Sequence, residues 1–249
     1  MSNTILITGG GSGIGRGLAE EFQKRGNTVI IAGRQQDRLE AVCAANPGMH
    51  FCPLDIRDAD AIVRFAKDIV ARFPALDMLI NNAGMMAAED LLADNVDVAI
   101  AEQTIVTNLL GPIRLTSALL PHLRSRPRAT ITNVTSGLAF VPTAFAPTYG
   151  ATKAAIHSYT LSLRRQLRDT NITVTELIPP YVQTTLLGEQ QAVDPRAMPL
   201  DAFIEETMQN YDREPTALEN RVELVNQQRF AERDGHFDEV YEAVNSIEV

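Results

Sequence analysis

A short β-branched apolar run, Thr4-Ile-Leu-Ile-Thr8, breaks into Gly9-Gly-Gly-Ser-Gly-Ile-Gly15, and a helical pattern starts at once with Arg16-Gly-Leu-Ala-Glu-Glu-Phe22. The run suits a strand buried on both faces. Glycines without a Cβ let the backbone approach a bound group at the positive end of the following helix, where a pyrophosphate is stabilised. The spacing, Thr8-Gly9-x3-Gly13-x-Gly15, is not the G-x-G-x-x-G of many dinucleotide folds. A plain loop would also use glycine. The strand before and the helix after favour a phosphate cradle built from Thr8, Gly9, Gly11, Ser12, Gly13, Ile14 and Gly15.

Residues 28–32 form a second strand and complete a β-α-β unit. An NAD site would place an acid near its end to accept the ribose hydroxyls. This chain has Gly33-Arg34, with Arg38 one turn later. Arg34 can form a charge-assisted fork on a 2′-phosphate, which favours NADP over NAD, although a solvated arginine at a strand end is an ordinary finding. Residues 50–55 read as a third strand, with Asp55 placed to meet an adenine amino group and Ile56 beside it; residues 58–73 follow as an amphipathic helix. A fourth strand, 76–80, ends in Asn81-Asn-Ala-Gly84, putting Asn82, Ala83 and Gly84 at the crevice of an open α/β sheet. A simple turn would use the same residues.

A long helical stretch, 95–125, is interrupted by Gly111-Pro112. Pro112 has no N–H for the carbonyl of Asn108, so that carbonyl is freed within a kinked helix and can hold a water, unless the proline is an accident of sequence. The fifth strand, 129–135, delivers Ser136; the sixth, 172–178, ends in Pro179-Pro-Tyr-Val-Gln-Thr184. Between them lies a helix from about 148 to 169 carrying Tyr149-x-x-x-Lys153. Four residues apart, a phenol and an amine share one helix face. A free tyrosine titrates near ~10, and an adjacent ammonium stabilises the phenolate and draws that value down. Chance supplies such pairs in many helices, so the pair acquires meaning only from its company.

After Thr185 the pattern changes. Residues 185–215 mix apolar residues with glycine and proline and include a short helix at 200–211, an excursion suited to a lid over a site. Residues 216–249 read as an acidic helical tail, broken at Asp234-Gly235. From residue 189 onward five arginines stand against fifteen carboxylates, and a net charge of −9 argues against nucleic acid as a partner. No apolar run reaches the ~20 residues of a membrane span. Met1-Ser-Asn3 leads straight into the first strand, with no export signal, so a cytoplasmic setting is expected. Two cysteines and four scattered histidines lack metal-site spacing, and no metal is expected. Without repeats or linkers, residues 1–249 are expected to form one domain, an α/β, Rossmann-type doubly wound parallel sheet of six or seven strands flanked by helices.

Thr8-Gly-x3-Gly-x-Gly15, Asn81-Asn-Ala-Gly84, Asn108, Ser136 and Tyr149-x3-Lys153 occur in this order from Thr4 to about Thr185. The chain thereby resembles the single-domain short-chain dehydrogenase/reductase family. The resemblance implies that Tyr149 is the general acid or base, that Lys153 lowers its pKa and binds the nicotinamide ribose, and that Ser136 donates to the substrate oxygen. It implies that the Asn108 carbonyl holds a water leading to Lys153, that Pro179, Val182 and Thr184 flank the nicotinamide, and that the protein is a homodimer or homotetramer. Pro179-Pro180 replaces the family's usual Pro-Gly, and a Gly-rich C-terminal strand signature is missing, so a seventh strand is short or absent. The Pro-Pro-x-Val-x-Thr form and the acidic tail resemble the DltE-like branch.

The expected activity is NADP(H)-preferring interconversion of a carbonyl and an alcohol. Met85, Met86, Leu138, Phe140, Phe145, Tyr181 and Leu187 are the pocket candidates, and they suit a small neutral or apolar substrate. The competing class is a non-catalytic NADP-binding sensor, which would have no need of Ser136, Tyr149, Lys153 and Asn108 together.

Overall fold

The structure, a computed structural model, describes residues 2–246; Met1 and residues 247–249 of the expected domain and tail lie outside them. Seven strands form one parallel sheet in the order β3-β2-β1-β4-β5-β6-β7. They are β1 (Thr4–Thr8), β2 (Thr28–Gly33), β3 (His50–Pro53), β4 (Met78–Asn81), β5 (Ala129–Val134), β6 (Ile172–Ile178) and β7 (Glu219–Arg221). The helices are α1 (Gly13–Lys24), α2 (Gln36–Ala45), α3 (Ala59–Arg72), α4 (Val98–Ile105), α5 (Gly111–Ser125), α6 (Pro147–Leu167), α7 (Leu200–Arg213), α8 (Asn226–Phe230) and α9 (Phe237–Asn245). The doubly wound Rossmann-type sheet expected from the sequence is present, with seven strands. Among the described residues no helix is long and apolar enough to cross a membrane.

Alternation along the strands explains why both faces are covered. Leu6, Ile30, Leu79 and Ile131 pack with α3 and α5 and the end of α6 on one face. Ile5, Ile7, Val29, Ile31 and Ile80 pack with α1, α2 and α7 on the other. Each buried aliphatic side chain contributes about 1.5–3 kcal/mol. This burial holds the layers together, and the polar ties at the strand ends set the geometry of the cleft. One such tie is fully buried: Asn81 Nδ2 donates to Asn133 Oδ1 (2.8 Å) and Thr116 Oγ1 (3.0 Å), while Asn133 Nδ2 donates to Thr160 Oγ1 (2.8 Å). It fastens α5 and α6 to the centre of the sheet.

Three elements differ from expectation. The third strand stops at Pro53, so Asp55 and Ile56 lie in the following loop. The Gly111-Pro112 interruption is absorbed by a π-helical turn, Val106–Leu110, in which Gly111 N–H bonds back to Val106 O and Asn108 sits centrally. A missing donor is accommodated by widening the helix rather than by a simple kink. The latter half of the expected lid is α7, which anchors Phe203, Ile204 and Met208 in the core. The pattern at 200–211 reads as that helix, and what the structure adds is its burial against the sheet.

At the reversal of strand order, β1 and β4 are neighbours and their chains leave toward opposite faces, which opens a crevice beyond their carboxyl ends. Gly9 turns with φ +69°, and a Cβ on Gly15 would lie 2.4 Å from both Gly9 O and Asn82 Nδ2. Gly15→Ala should therefore lose about 1–3 kcal/mol of stability in urea denaturation; an unchanged midpoint would show that the turn is slack.

Candidate active site

The cleft begins where the glycine-rich turn meets β4. Thr8 Oγ1 accepts the backbone N–H groups of Asn82 and Ala83, each at 3.0 Å, and Asn82 Nδ2 donates to Thr8 O (2.9 Å) and Gly9 O (3.3 Å). Each strand end is thus clasped by a side chain of the other. Beyond the clasp opens a cavity of about 660 Å³. Its walls include Thr8, Gly9, Gly11, Ser12, Gly13, Ile14, Arg34, Ile56, Asn82, Ala83, Gly84, Ser136, Tyr149, Lys153, Pro179, Val182 and Thr184, brought together from stretches far apart in sequence. Arg38, Gln35 and Leu39 lie on the same wall as Arg34.

Three expected residues stand outside that wall. Gly15 lies under the turn, against Gly9 O and the Asn82 amide. Asp55 faces its own loop: Arg57 Nε and Nη2 fork onto its carboxylate (3.0 and 2.7 Å), and this partner holds its pKa below the usual carboxylate range. A carboxylate so engaged is poorly placed to greet an adenine. Asn108 is buried, its Oδ1 accepting from Met85 N (2.8 Å) and its Nδ2 donating to Met85 O (2.8 Å) and Thr152 Oγ1 (3.2 Å). Its side chain pins the strand-end loop to α6, work that the sequence reading had not foreseen.

On the floor, α6 presents Tyr149 and Lys153 one turn apart, both buried. Lys153 Nζ donates to Val134 O (2.9 Å) and lies 5.5 Å from the Tyr149 ring centre. Burial pushes the lysine down to about 8 and the phenol up to about 12, with the Ser136 hydroxyl pulling the phenol partly back. Desolvation thus sets the direction of the phenol's shift, opposite to the lowering expected from Lys153, whose amine is turned to a backbone carbonyl. Ser136 itself is fixed at the end of β5, its Oγ accepting from Leu138 N (3.1 Å).

Met85, Met86, Leu138, Phe145, Tyr181 and Leu187 line the cavity as expected. Phe140 does not. Its ring packs edge-on against His157 (4.8 Å, 72°), with the Arg229 guanidinium 4.5 Å from its centre. Missing from the sequence reading are Gln227, Gln228, Val240, Ala243 and Val244 of the acidic tail, which form part of the wall. Gln228 reaches so close to Gly137 that a Cβ there would lie 2.2 Å from Oε1. The alternation of acidic and apolar residues in α9 was a signal of a one-sided helix, but not of what it covers.

The two buried groups carry a linkage with a definite sign. Between about pH 8 and 10.5 the unfolded chain keeps a proton on Lys153 that the folded chain has released, so this residue's contribution to stability grows with pH across that window. From about pH 10 to 12 Tyr149 acts in the opposite sense, because the folded chain then holds the extra proton. The stability of the wild type relative to Lys153→Met should rise from pH 8 to 10.5 in denaturant titrations; a flat or falling difference would contradict the buried-lysine assignment.

With this geometry in hand, comparison with known proteins is informative. Residues 3–194 match the short chain dehydrogenase family. The chain is 36% identical over 250 residues to the uncharacterized oxidoreductase DltE of Bacillus subtilis, covering 99% of this chain and 98% of that one. It is 37% identical to a serine 3-dehydrogenase of Agrobacterium fabrum over 78% of this chain and 80% of the other. Among solved structures, a short-chain dehydrogenase from Sphingobium yanoikuyae in complex with NADPH is similar with a TM-score of 0.79 and 25% identity, covering 99% of this chain and 98% of that chain. A matched family over most of the chain, a near full-length relative and a shared fold agree: the protein belongs to the short-chain dehydrogenase/reductase family of oxidoreductases, in its DltE-like branch.

Proposed function

We propose that the protein is an NADP(H)-preferring reductase of small neutral or apolar carbonyl compounds, or the corresponding alcohol dehydrogenase in reverse. The observation that carries the reading is the meeting of Ser136, Tyr149 and Lys153 on the floor of the cleft, beside the glycine-rich turn. NADP(H) would be held by the turn from Thr8 to Ile14, by Ala83 and Gly84, and by Pro179, Val182 and Thr184, with Arg34 and Arg38 on the 2′-phosphate. When bound, the reduced nicotinamide supplies the hydride.

The chain's own residues handle the oxygen. Ser136 donates a hydrogen bond to the carbonyl and polarises it. Tyr149 delivers the proton that turns the incipient alkoxide into an alcohol, and Lys153 stands behind it as the next group in the relay. The buried phenol is protonated at neutral pH, and its hold on that proton has to loosen for the transfer to occur. Asn108 takes part by fixing the Met85 backbone and Thr152, with its carbonyl in the π-helical turn available for the relay's water. Residues 185–199 serve as the closing segment, since α7 beyond them is anchored, and residues 2–246 act as one unit. The exposed Val98 and Ile105 on α4 and Leu161 on α6 suit a homodimer contact. A cytoplasmic setting, where NADPH is generated, fits this chemistry.

Tyr149→Phe should lower turnover of ketones and aldehydes by about 10²–10⁴-fold while NADPH binding, read by fluorescence, is unchanged. Binding without turnover in the wild type, identical in the variant, would favour a sensor. Arg34→Ala should weaken NADPH by about tenfold or more and leave NADH nearly untouched; equal losses would remove the 2′-phosphate assignment.

A further inference from the structure

Glu176 is the only acidic side chain buried among the described residues, at 0% exposure, and it lies on β6 away from the cleft wall. Burying a carboxylate costs several kcal/mol unless strong hydrogen bonds compensate, and an apolar residue of similar size would serve packing at least as well. The next two residues of the strand, Leu177 and Ile178, are just such residues. Stability therefore does not explain the acid; its partners do. Thr135 Oγ1 donates to Oε1 at 2.7 Å, and His157 Nδ1 lies 2.9 Å from Oε1 and 2.8 Å from Oε2. A carboxylate only accepts, so Nδ1 carries the hydrogen.

Those partners belong to the two elements that bear the reacting groups. Thr135 directly precedes Ser136, and its N–H is held by Leu177 O (2.9 Å). His157 is on α6 one turn past Lys153 and two turns past Tyr149, so all three share a face. Phe140, four residues after Ser136, presses on the far side of the same imidazole. We propose that Glu176, acting through Thr135 and His157, is a positioning residue that sets the separation between the Ser136 and Tyr149 hydroxyls. It touches neither substrate nor coenzyme. Bonds from an ionic acceptor to both sides make a stiffer brace than packing alone. This assignment rests on the proposed reading of Ser136 and Tyr149 as the pair that meets the substrate oxygen.

The test combines kinetics and crystallography of the full chain with NADPH. Glu176→Leu should lower kcat by about 10²-fold, as expected of a misplacement near 1 Å, and crystals should show the two hydroxyls displaced. NADPH affinity should stay within about twofold, and Glu176→Gln should recover most of the rate because its amide oxygen still accepts. Unchanged kcat, or a fall with both hydroxyls in their original positions, overturns the proposal; so does an equal loss of coenzyme binding, which would mark general damage. Should Glu176→Leu not fold, Thr135→Val carries the same expectation at about tenfold. If the wild type reduces no carbonyl compound, the functional reading fails separately, and hydroxyl separation in the Thr135→Val crystal structure still decides whether Glu176 positions Ser136.

Discussion

The hydrogen bonds between Thr8 and the Asn82-Ala83 backbone secure the one place where the two halves of the sheet part company. On either side of that seam, crossovers lie on opposite faces, which opens the crevice beyond the strand ends. The Asn82 amide returns the bond to Thr8 and Gly9 carbonyls and fills the space that a Cβ at Gly9 or Gly15 would need. The glycine-rich turn is thus as much a consequence of β4 as of any ligand. Two demands, a close strand-to-strand clasp and an exposed row of backbone N–H groups, select the same residue type.

A second set of ties fixes the other wall. Lys153 reaches the Val134 carbonyl, Asn133 reaches Thr160, and Asn108 reaches Thr152, so α6 is stitched to the sheet along its buried face. The desolvation that raises Tyr149 and depresses Lys153 is the electrostatic cost of this tight packing. It also defines the resting protonation of the pair: a neutral phenol beside an amine that gives up its proton more readily than usual.

Much of this was legible in the sequence because the relevant signals are local. β1, the turn and α1 are contiguous, and Tyr149 and Lys153 share one helix turn, so spacing alone places them. The strand order could be inferred once the β-α units were recognised. What escaped depended on side-chain partners distant along the chain. Asp55 looked free until Arg57 was seen to claim it; Phe140 looked like pocket lining until His157 and Arg229 enclosed it. The π-helical turn at Asn108 was legible only as a missing donor at Pro112, and β7, with the polar sequence Glu-Asn-Arg, carries no apolar alternation at all.

The placement of α8 and α9 has a consequence for how activity is inherited within such proteins. One wall of the cleft is drawn from the first 86 residues and the floor from 134–153, whereas Gln227, Gln228, Val240, Ala243 and Val244 come from beyond the stretch that matches the family. Asn245 even sews α9 to the loop before α6, through Ala144 N–H and Pro142 O. The tail therefore completes a cavity whose other walls come from the matched stretch. Kinship measured over residues 3–194 says nothing of that part of the wall, so relatives alike in the first three quarters of the chain are free to differ there.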